Sequence, residues 1–275
     1  MRNGKDQRGG ETNLHYVQAG SGPPMVLLHG LLGGSFCWRL NLPVFSGRFT
    51  TYAVDLPGFG QCDAPADGDC GMQAQALRLL SWLKRQGLER VDVVATSWGG
   101  GVALLLAALS PTSVRSLVLA APVNPWSQWG MRRVRFVGGS LGAALLRLGM
   151  PLSRPLHSTA LKRMYGDPRK IPAGTVEGYS RMALRKGLAR NIVATLRSWE
   201  NDLKALRTAV ERVQSPTLLI WGTRDGAVDL RSAETLRKKL PACELAIVEG
   251  AGHLPFEETP EEFNRLTLEF LGNRA

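Results

Sequence analysis

Only four of the 275 residues are cysteine and only four are histidine, and each scarcity removes a class of chemistry. Cys37, Cys62, Cys70 and Cys243 show no Cys-x-x-Cys or Cys-His spacing of the kind that builds a zinc site or a redox pair. They read as free thiols of a cytoplasmic chain, although Cys62 and Cys70 are near enough to pair across a short loop. No run of about eighteen apolar residues is present, which excludes a membrane-crossing helix. Met1 to Thr12 is polar and has no apolar core, so it reads as a disordered lead-in and not as a secretory leader. A Gly-x-x-x-x-Gly-Lys phosphate loop is also missing, and Gly99-Gly100-Gly101 follows a strand at the wrong spacing for a dinucleotide fingerprint. Chemistry without metal or organic cofactor is the expectation.

What the chain does have is a hydrophobic fraction of 44% and enough length for one large core with an inserted subdomain. Short apolar runs alternate with helical periodicity, the pattern of a mostly parallel sheet covered on both faces. Strands are predicted at Thr12 to Gln18, Met25 to Leu28, Thr51 to Asp55, Val91 to Ala95, Ser116 to Ala120, Thr217 to Trp221 and Glu244 to Val248. Met72 to Gln86 has amphipathic spacing with Leu77, Leu80 and Leu83 as its apolar stripe, and Gly99 to Leu109 is apolar all round, as a buried helix is. Thr259-Pro260-Glu261-Glu262 reads as a capped start to the last helix.

The most informative stretch is Val93-Val94-Ala95-Thr96-Ser97-Trp98-Gly99-Gly100, an apolar strand that runs into a serine between small residues and then into a helix. A serine hydroxyl is a weak nucleophile and must stand clear of the backbone, beside a base and near amide donors for the oxyanion. A sharp strand-to-helix turn supplies that exposure; serine is also common at ordinary helix N-termini. Downstream, His253 lies in a glycine-rich loop after a strand, and Asp225 follows the strand that Gly222 closes. A carboxylate there can accept the second imidazole N–H. Asp229 competes with Asp225, and each can instead cap the helix that starts near Leu230.

These residues resemble the α/β-hydrolase family, whose elbow reads Gly-x-Ser-x-Gly; this chain has Ala95 at the first glycine. The order Ser97, Asp225, His253 matches that of the family's triad. Met25 to Leu28 followed by His29-Gly30-Leu31-Leu32-Gly33-Gly34 resembles the family's oxyanion turn, which implies the backbone N–H groups of Leu31 and Trp98 as donors, each contributing about 3 kcal/mol if correctly aimed. His29 itself reads as structural, its ring bonded within the loop. Asp55-Leu56-Pro57-Gly58-Phe59-Gly60 also resembles a family loop and reads mainly as a turn. The resemblance implies residues 1–121 and 212–275 as a doubly wound α/β core and 122–211 as a helical cap, with Trp126 and Trp129 at the start of the cap as candidate pocket walls. It implies a serine hydrolase of small to medium apolar esters. Cleavage of a carbon–carbon bond in a diketone-like substrate, or non-catalytic binding of a small apolar ligand, remain open on the same residues.

The net charge of +11 is unevenly placed. Residues 131–190 hold thirteen Lys and Arg against Asp167 and Glu177, while the rest of the chain is neutral. No nucleic-acid-binding motif accompanies the charge, so nucleic acid is not an expected partner. Arg132, Arg133, Arg135 and Arg147 interleave with Val134, Phe136, Leu145 and Leu146, a composition that suits peripheral contact with an anionic membrane, attraction of an anionic substrate, or a solvated helical face.

Overall fold

The computed structural model describes residues 2–5, 14–127, 130–149 and 153–272. Eight strands form one sheet: β1 (Arg2–Lys5), β2 (His15–Ala19), β3 (Pro24–Leu28), β4 (Thr50–Asp55), β5 (Val91–Thr96), β6 (Val114–Ala120), β7 (Thr217–Gly222) and β8 (Cys243–Val248), in the spatial order β1-β2-β4-β3-β5-β6-β7-β8. β2 pairs antiparallel with β1 and β4, and every pair from β4 to β8 is parallel. The seven predicted strands are all found. Residues 2–5 are also a strand, contrary to the expectation of a disordered lead-in, because the edge of β2 offers unpaired backbone groups to a short polar segment. Thr12 and Asn13 lie outside the described residues.

Parallel strands need crossovers, and helices supply them on both faces. Before the β6–β7 connection come α1 (Leu42–Phe45), α2 (Met72–Gln86) and α3 (Ser97–Leu109); after β7 come α9 (Arg231–Lys239), α10 (Pro255–Glu258) and α11 (Pro260–Gly272). The connection from β6 to β7 holds α4 (Met131–Gly138), α5 (Ser140–Gly149), α6 (Ser153–Met164), α7 (Thr175–Ala183) and α8 (Leu188–Ala209). Alternation along the central strands separates two cores. Val26, Leu28, Val93, Ala95, Leu117 and Leu119 meet α2, α3 and α8, while Met25, Leu27, Val94, Val118 and Ile220 meet α1, α10 and α11 together with Leu161 and Tyr165.

Two details of helix packing depart from expectation. The buried face of α2 is Met72, Gln75, Ala76, Leu79, Trp82 and Leu83, and Leu77 is half exposed. A Leu77-Leu80-Leu83 stripe advances three residues per turn and winds off a face that repeats every 3.6. At the start of α11 the Thr259 hydroxyl donates to the Pro255 carbonyl (3.0 Å), closing α10 behind it instead of capping the helix ahead.

α8 roots the insert in the core. Its buried Asp202 accepts hydrogen bonds from the first-turn amides of α2, Met72 N–H at 2.8 Å and Gln73 N–H at 3.3 Å. A carboxylate at that end satisfies N–H groups that have no partner within their own helix and meets the positive end of the helix dipole. Asp202→Ala leaves those amides buried beside a void, and urea unfolding is expected to show a loss of about 1–3 kcal/mol with the m-value unchanged.

Candidate active site

Ser97 follows β5 directly and opens α3 with φ at +53°, in the left-handed region that few non-glycine residues adopt. The turn lifts its side chain off the sheet, and the neighbours must be small to permit it. A Cβ on Gly99 would lie 2.2 Å from the His29 carbonyl oxygen, so glycine is obligatory there for close approach of helix to strand. Ala95 is fully buried among the apolar residues on the α2 and α3 face, where its extra methyl is absorbed.

The three side chains that the sequence nominates converge across 156 positions of chain. His253 Nε2 lies 2.9 Å from Ser97 Oγ and His253 Nδ1 lies 2.9 Å from Asp225 Oδ2. His253 and Asp225 are buried, whereas Ser97 is partly exposed. Asp225 Oδ1 accepts from the N–H groups of Ala227 (2.7 Å) and Val228 (3.0 Å), which leaves Oδ2 to the imidazole and fixes the carboxylate plane. Asp229 takes the other role. Its carboxylate accepts the Arg231 N–H at the start of α9 and pairs with that residue's guanidinium at 2.7 Å.

The loop that carries His253 is held by the insert. His253 N–H donates to the Met164 carbonyl at the end of α6 (2.6 Å), and a Cβ on Gly252 would lie 2.2 Å from that same oxygen. Glycine serves close packing here. Buried Glu258, on α10, accepts Gly252 N–H (2.7 Å) from the histidine loop and Gly166 (2.9 Å) and Asp167 (2.8 Å) N–H from the insert. Its neighbour Glu257 accepts the hydroxyls of Tyr165 (2.7 Å) and Tyr179 (2.6 Å) and pairs with Arg39 at 3.1 Å. Burial and the adjacent Glu257 carboxylate push both phenols above the usual tyrosine range. Burial opposes the Arg39 charge, but Glu257 outweighs it and the guanidinium is held more firmly protonated.

The turn after β3 lies against the serine: a Cβ on Gly30 would sit 3.1 Å from Ser97 Cβ and 3.7 Å from Oγ. The next amide, of Leu31, makes no backbone hydrogen bond among the described residues, and the Trp98 N–H falls in the first turn of α3, where no carbonyl of that helix reaches it. Both amides therefore have donor capacity beside Ser97. Beneath them His29 is fully buried, accepts Leu56 N–H at Nε2 (3.0 Å) and donates from Nδ1 to the Gly30 carbonyl (2.8 Å). That pairing sets the tautomer, and burial lowers the pKa of the ring so that it stays neutral. Asp55 organises the same corner, accepting from His15 Nδ1 (2.6 Å), Gln61 N–H (2.9 Å) and Ser35 N–H. Burial alone would raise the Asp55 pKa; the His15 hydrogen bond and the Ser35 and Gln61 amides act against it, and the carboxyl is held below its ordinary 3.8.

Trp126 is half buried against the core, with the Arg207 guanidinium 5.7 Å from its ring centre, and no described contact brings it to the three converging side chains. Trp129 lies outside the described residues. None of the four cysteines forms a disulfide, and burial pushes Cys62 and Cys70 each up to about 11, where a thiol is protonated and inert at neutral pH.

The alpha/beta hydrolase family model matches residues 25–266. The chain belongs to that family. It is 31% identical over 92% of its length to an uncharacterized protein of Mycobacterium tuberculosis, of which the match covers 76%. It is 29% identical over 91% of its length to the pimeloyl-[acyl-carrier protein] methyl ester esterase of Nitrosomonas europaea, 96% of which is covered. The solved structure of the epoxide hydrolase CorEH superposes with a TM-score of 0.86 at 24% identity, covering 100% of this chain and 99% of that one, a likeness that concerns the fold. Among its curated relatives are an esterase and haloalkane dehalogenases.

Sequence reasoning did not anticipate the structural work of Asp55, Glu257 and Glu258. The acidic pair sits in Phe256-Glu257-Glu258-Thr259, which reads as the polar approach to a helix, and its partners are backbone amides and phenols distant in sequence. Two measurements follow. Glu258→Gln turns an amide group toward three N–H donors and is expected to cost about 2–4 kcal/mol in urea unfolding. For Asp55, whose folded pKa is depressed, the stabilisation is complete above the unfolded-state pKa and is lost as pH falls through the folded one. The stability gap between wild type and Asp55→Asn should therefore be constant at neutral pH and shrink below about pH 4, as read from unfolding midpoints across that range.

Proposed function

We propose that this hydrolase cleaves carboxylic esters of small to medium apolar acyl groups through an acyl-enzyme on Ser97. The observation that carries the reading is a single buried imidazole within 2.9 Å of both the Ser97 hydroxyl and the Asp225 carboxylate. With Asp225 accepting a hydrogen bond from Nδ1–H, Nε2 has a free lone pair and accepts the Ser97 proton as Oγ attacks the ester carbonyl. The Leu31 and Trp98 amides receive the oxyanion. Collapse breaks the bond to the alcohol, which leaves with the proton from Nε2, and water then repeats both steps to release the acid. Asp225 stays ionised throughout, supported by the Ala227 and Val228 amides, and stabilises the imidazolium.

Several features support the ester as substrate class. The nucleophile is serine, whereas epoxide hydrolases and haloalkane dehalogenases of this fold use aspartate at the elbow, and a curated relative is named for methyl ester hydrolysis. Residues 122–211 act as the cap in this reading, and Trp126 and Trp129 contribute walls of the acyl pocket. No step calls for a metal or organic cofactor, and cysteines that are not joined in disulfides suit a reducing, cytoplasmic setting.

The test is a p-nitrophenyl ester series from acetate to palmitate with Ser97→Ala as control. Turnover that peaks at short or medium chains and falls by about 1,000-fold or more in the variant, with unfolding unchanged, is the expected result. A folded wild type that turns over no ester, or a Ser97→Ala variant that retains full activity, overturns the reading.

A further inference from the structure

No Asp or Glu occurs between Asp92 and Asp167, and residues 131–166 hold seven Lys and Arg with no opposing charge of their own. This stretch builds α4, α5 and α6. α4 and α5 pack on each other and on α8, and α8 in turn packs on α2 and α3, so the hairpin of α4 and α5 stands outside the helix that seats it.

The outward side of that hairpin is apolar. On α5, Leu141, Ala144, Leu145 and Leu148 recur at i, i+3, i+4 and i+7 and form one helical face, all four exposed, with Leu148 at 76% and Leu141 at 67%. The opposite side of α5 is buried through small residues, Gly142 and Ala143, and a Cβ on Gly142 would lie 2.1 Å from the Phe136 carbonyl oxygen. α5 is thus pinned by Gly142, Ala143 and the half-buried Leu146, which packs on the core, with Leu141, Leu145 and Leu148 turned away from the protein. Phe136 of α4, half exposed, lies in the same hairpin. An amphipathic helix with its large residues in water is the reverse of the usual arrangement for a globular surface, where such a contiguous patch marks a binding face.

Charge selects the occupant. Arg132, Arg133 and Arg147 are exposed on the same two helices, and among the described residues no carboxylate pairs with any of them; Arg135 alone is matched, by Glu200 of α8 at 2.7 Å. A second copy of the chain seated on the leucines would bring these arginines against their own counterparts. A free anionic substrate would satisfy the arginines and leave the leucines in water. A bilayer with anionic headgroups satisfies both, since leucines enter the acyl boundary while arginines remain at headgroup level.

We propose that the hairpin of α4 and α5 is an interfacial membrane seat, inserting Phe136, Leu141, Leu145 and Leu148 into the surface of an anionic bilayer with Arg132, Arg133 and Arg147 on its headgroups. The seat is independent of which bond Ser97 attacks, and its test is a binding measurement.

The experiment is co-sedimentation of the full chain with phosphatidylcholine vesicles and with mixed phosphatidylglycerol–phosphatidylcholine vesicles, alongside light scattering to give the mass in solution. Binding to the mixed vesicles that exceeds binding to neutral ones by tenfold or more, and that weakens with salt, is expected. The double variant Leu145→Glu with Leu148→Glu should lose at least tenfold of that binding, and so should Arg132→Gln with Arg133→Gln, while urea unfolding stays at the wild-type midpoint. Four outcomes overturn the proposal: no vesicle binding by the folded wild type, equal binding to both lipid mixtures, binding that the leucine variant retains, or a wild-type dimer that the leucine variant dissociates with no vesicle binding in either.

Discussion

A serine held at φ +53° between a buried strand and a buried helix is the constraint around which the rest of this molecule is arranged. The conformation is unfavourable for a residue with a side chain, and it persists only because neighbours on all sides leave it no other. β5 lies between β3 and β6, bonded on both edges. Gly99 lets α3 descend onto the His29 carbonyl, and the Val123 N–H donates to the Ser97 carbonyl at 2.8 Å from the far end of β6. The strain is thus carried by the middle of the sheet, the stiffest part of the fold. Because the turn also leaves first-turn amides of α3 unpaired at the same point, exposure of the hydroxyl and donor capacity beside it arise from one backbone geometry.

A second dependence runs through the insert. His253 is reached from β8 by a loop whose own amides and glycines are spent on the end of α6, through Met164, Gly166 and Asp167, with Glu258 gathering N–H groups from both sides. The insert is therefore joined to the histidine loop by buried charge-assisted bonds, which are stronger than neutral ones and poorly replaced by water. Movement of α6 relative to the core would be transmitted to His253 through its own N–H. On the other face, α8 is tied to α2 by Asp202, so the insert is anchored at two points on opposite faces of the sheet.

Much of this is legible in the amino-acid sequence alone. Strand and helix alternation gave the sheet because burial on both faces forces uninterrupted apolar runs, and the elbow was visible because its sterics demand small residues at fixed offsets from Ser97. Asp225 and His253 could be nominated since each follows a strand that ends in glycine-bearing loop. What stayed hidden depended on partners far apart in sequence. Asp55 reads as part of a turn, yet it collects His15, Ser35 and Gln61. Glu257 and Glu258 look like the solvated lead into a helix, and nothing in local periodicity reveals that phenols and amides from the insert come to meet them. The stripe on α2 failed for a simpler reason: leucines at three-residue spacing suggest a face, but the face that packs is set by Trp82 and Leu79 on the true helical repeat.

The same buried acids bear on how charge is presented outside. Asp55, Asp92, Asp202, Asp225, Glu257 and Glu258 are all buried, each answered internally by a guanidinium, a histidine, a phenol or backbone amides. A formal sum that sets them against surface lysines and arginines treats as equal what the solvent does not feel equally. The charges of Asp92 and Glu257 are largely cancelled at short range by guanidinium partners, whereas the exposed arginines of α4 and α5 have no carboxylate on their own elements to cancel them. The surface field near the hairpin is accordingly more positive than the formal charge of +11 spread evenly would give, and within a Debye length of about 8–10 Å that local excess governs what approaches. Asp55, Asp225, Glu257 and Glu258 hold the site together, and the exclusion of acids from residues 93–166 leaves the hairpin of α4 and α5 free to act as a cationic, apolar-tipped surface.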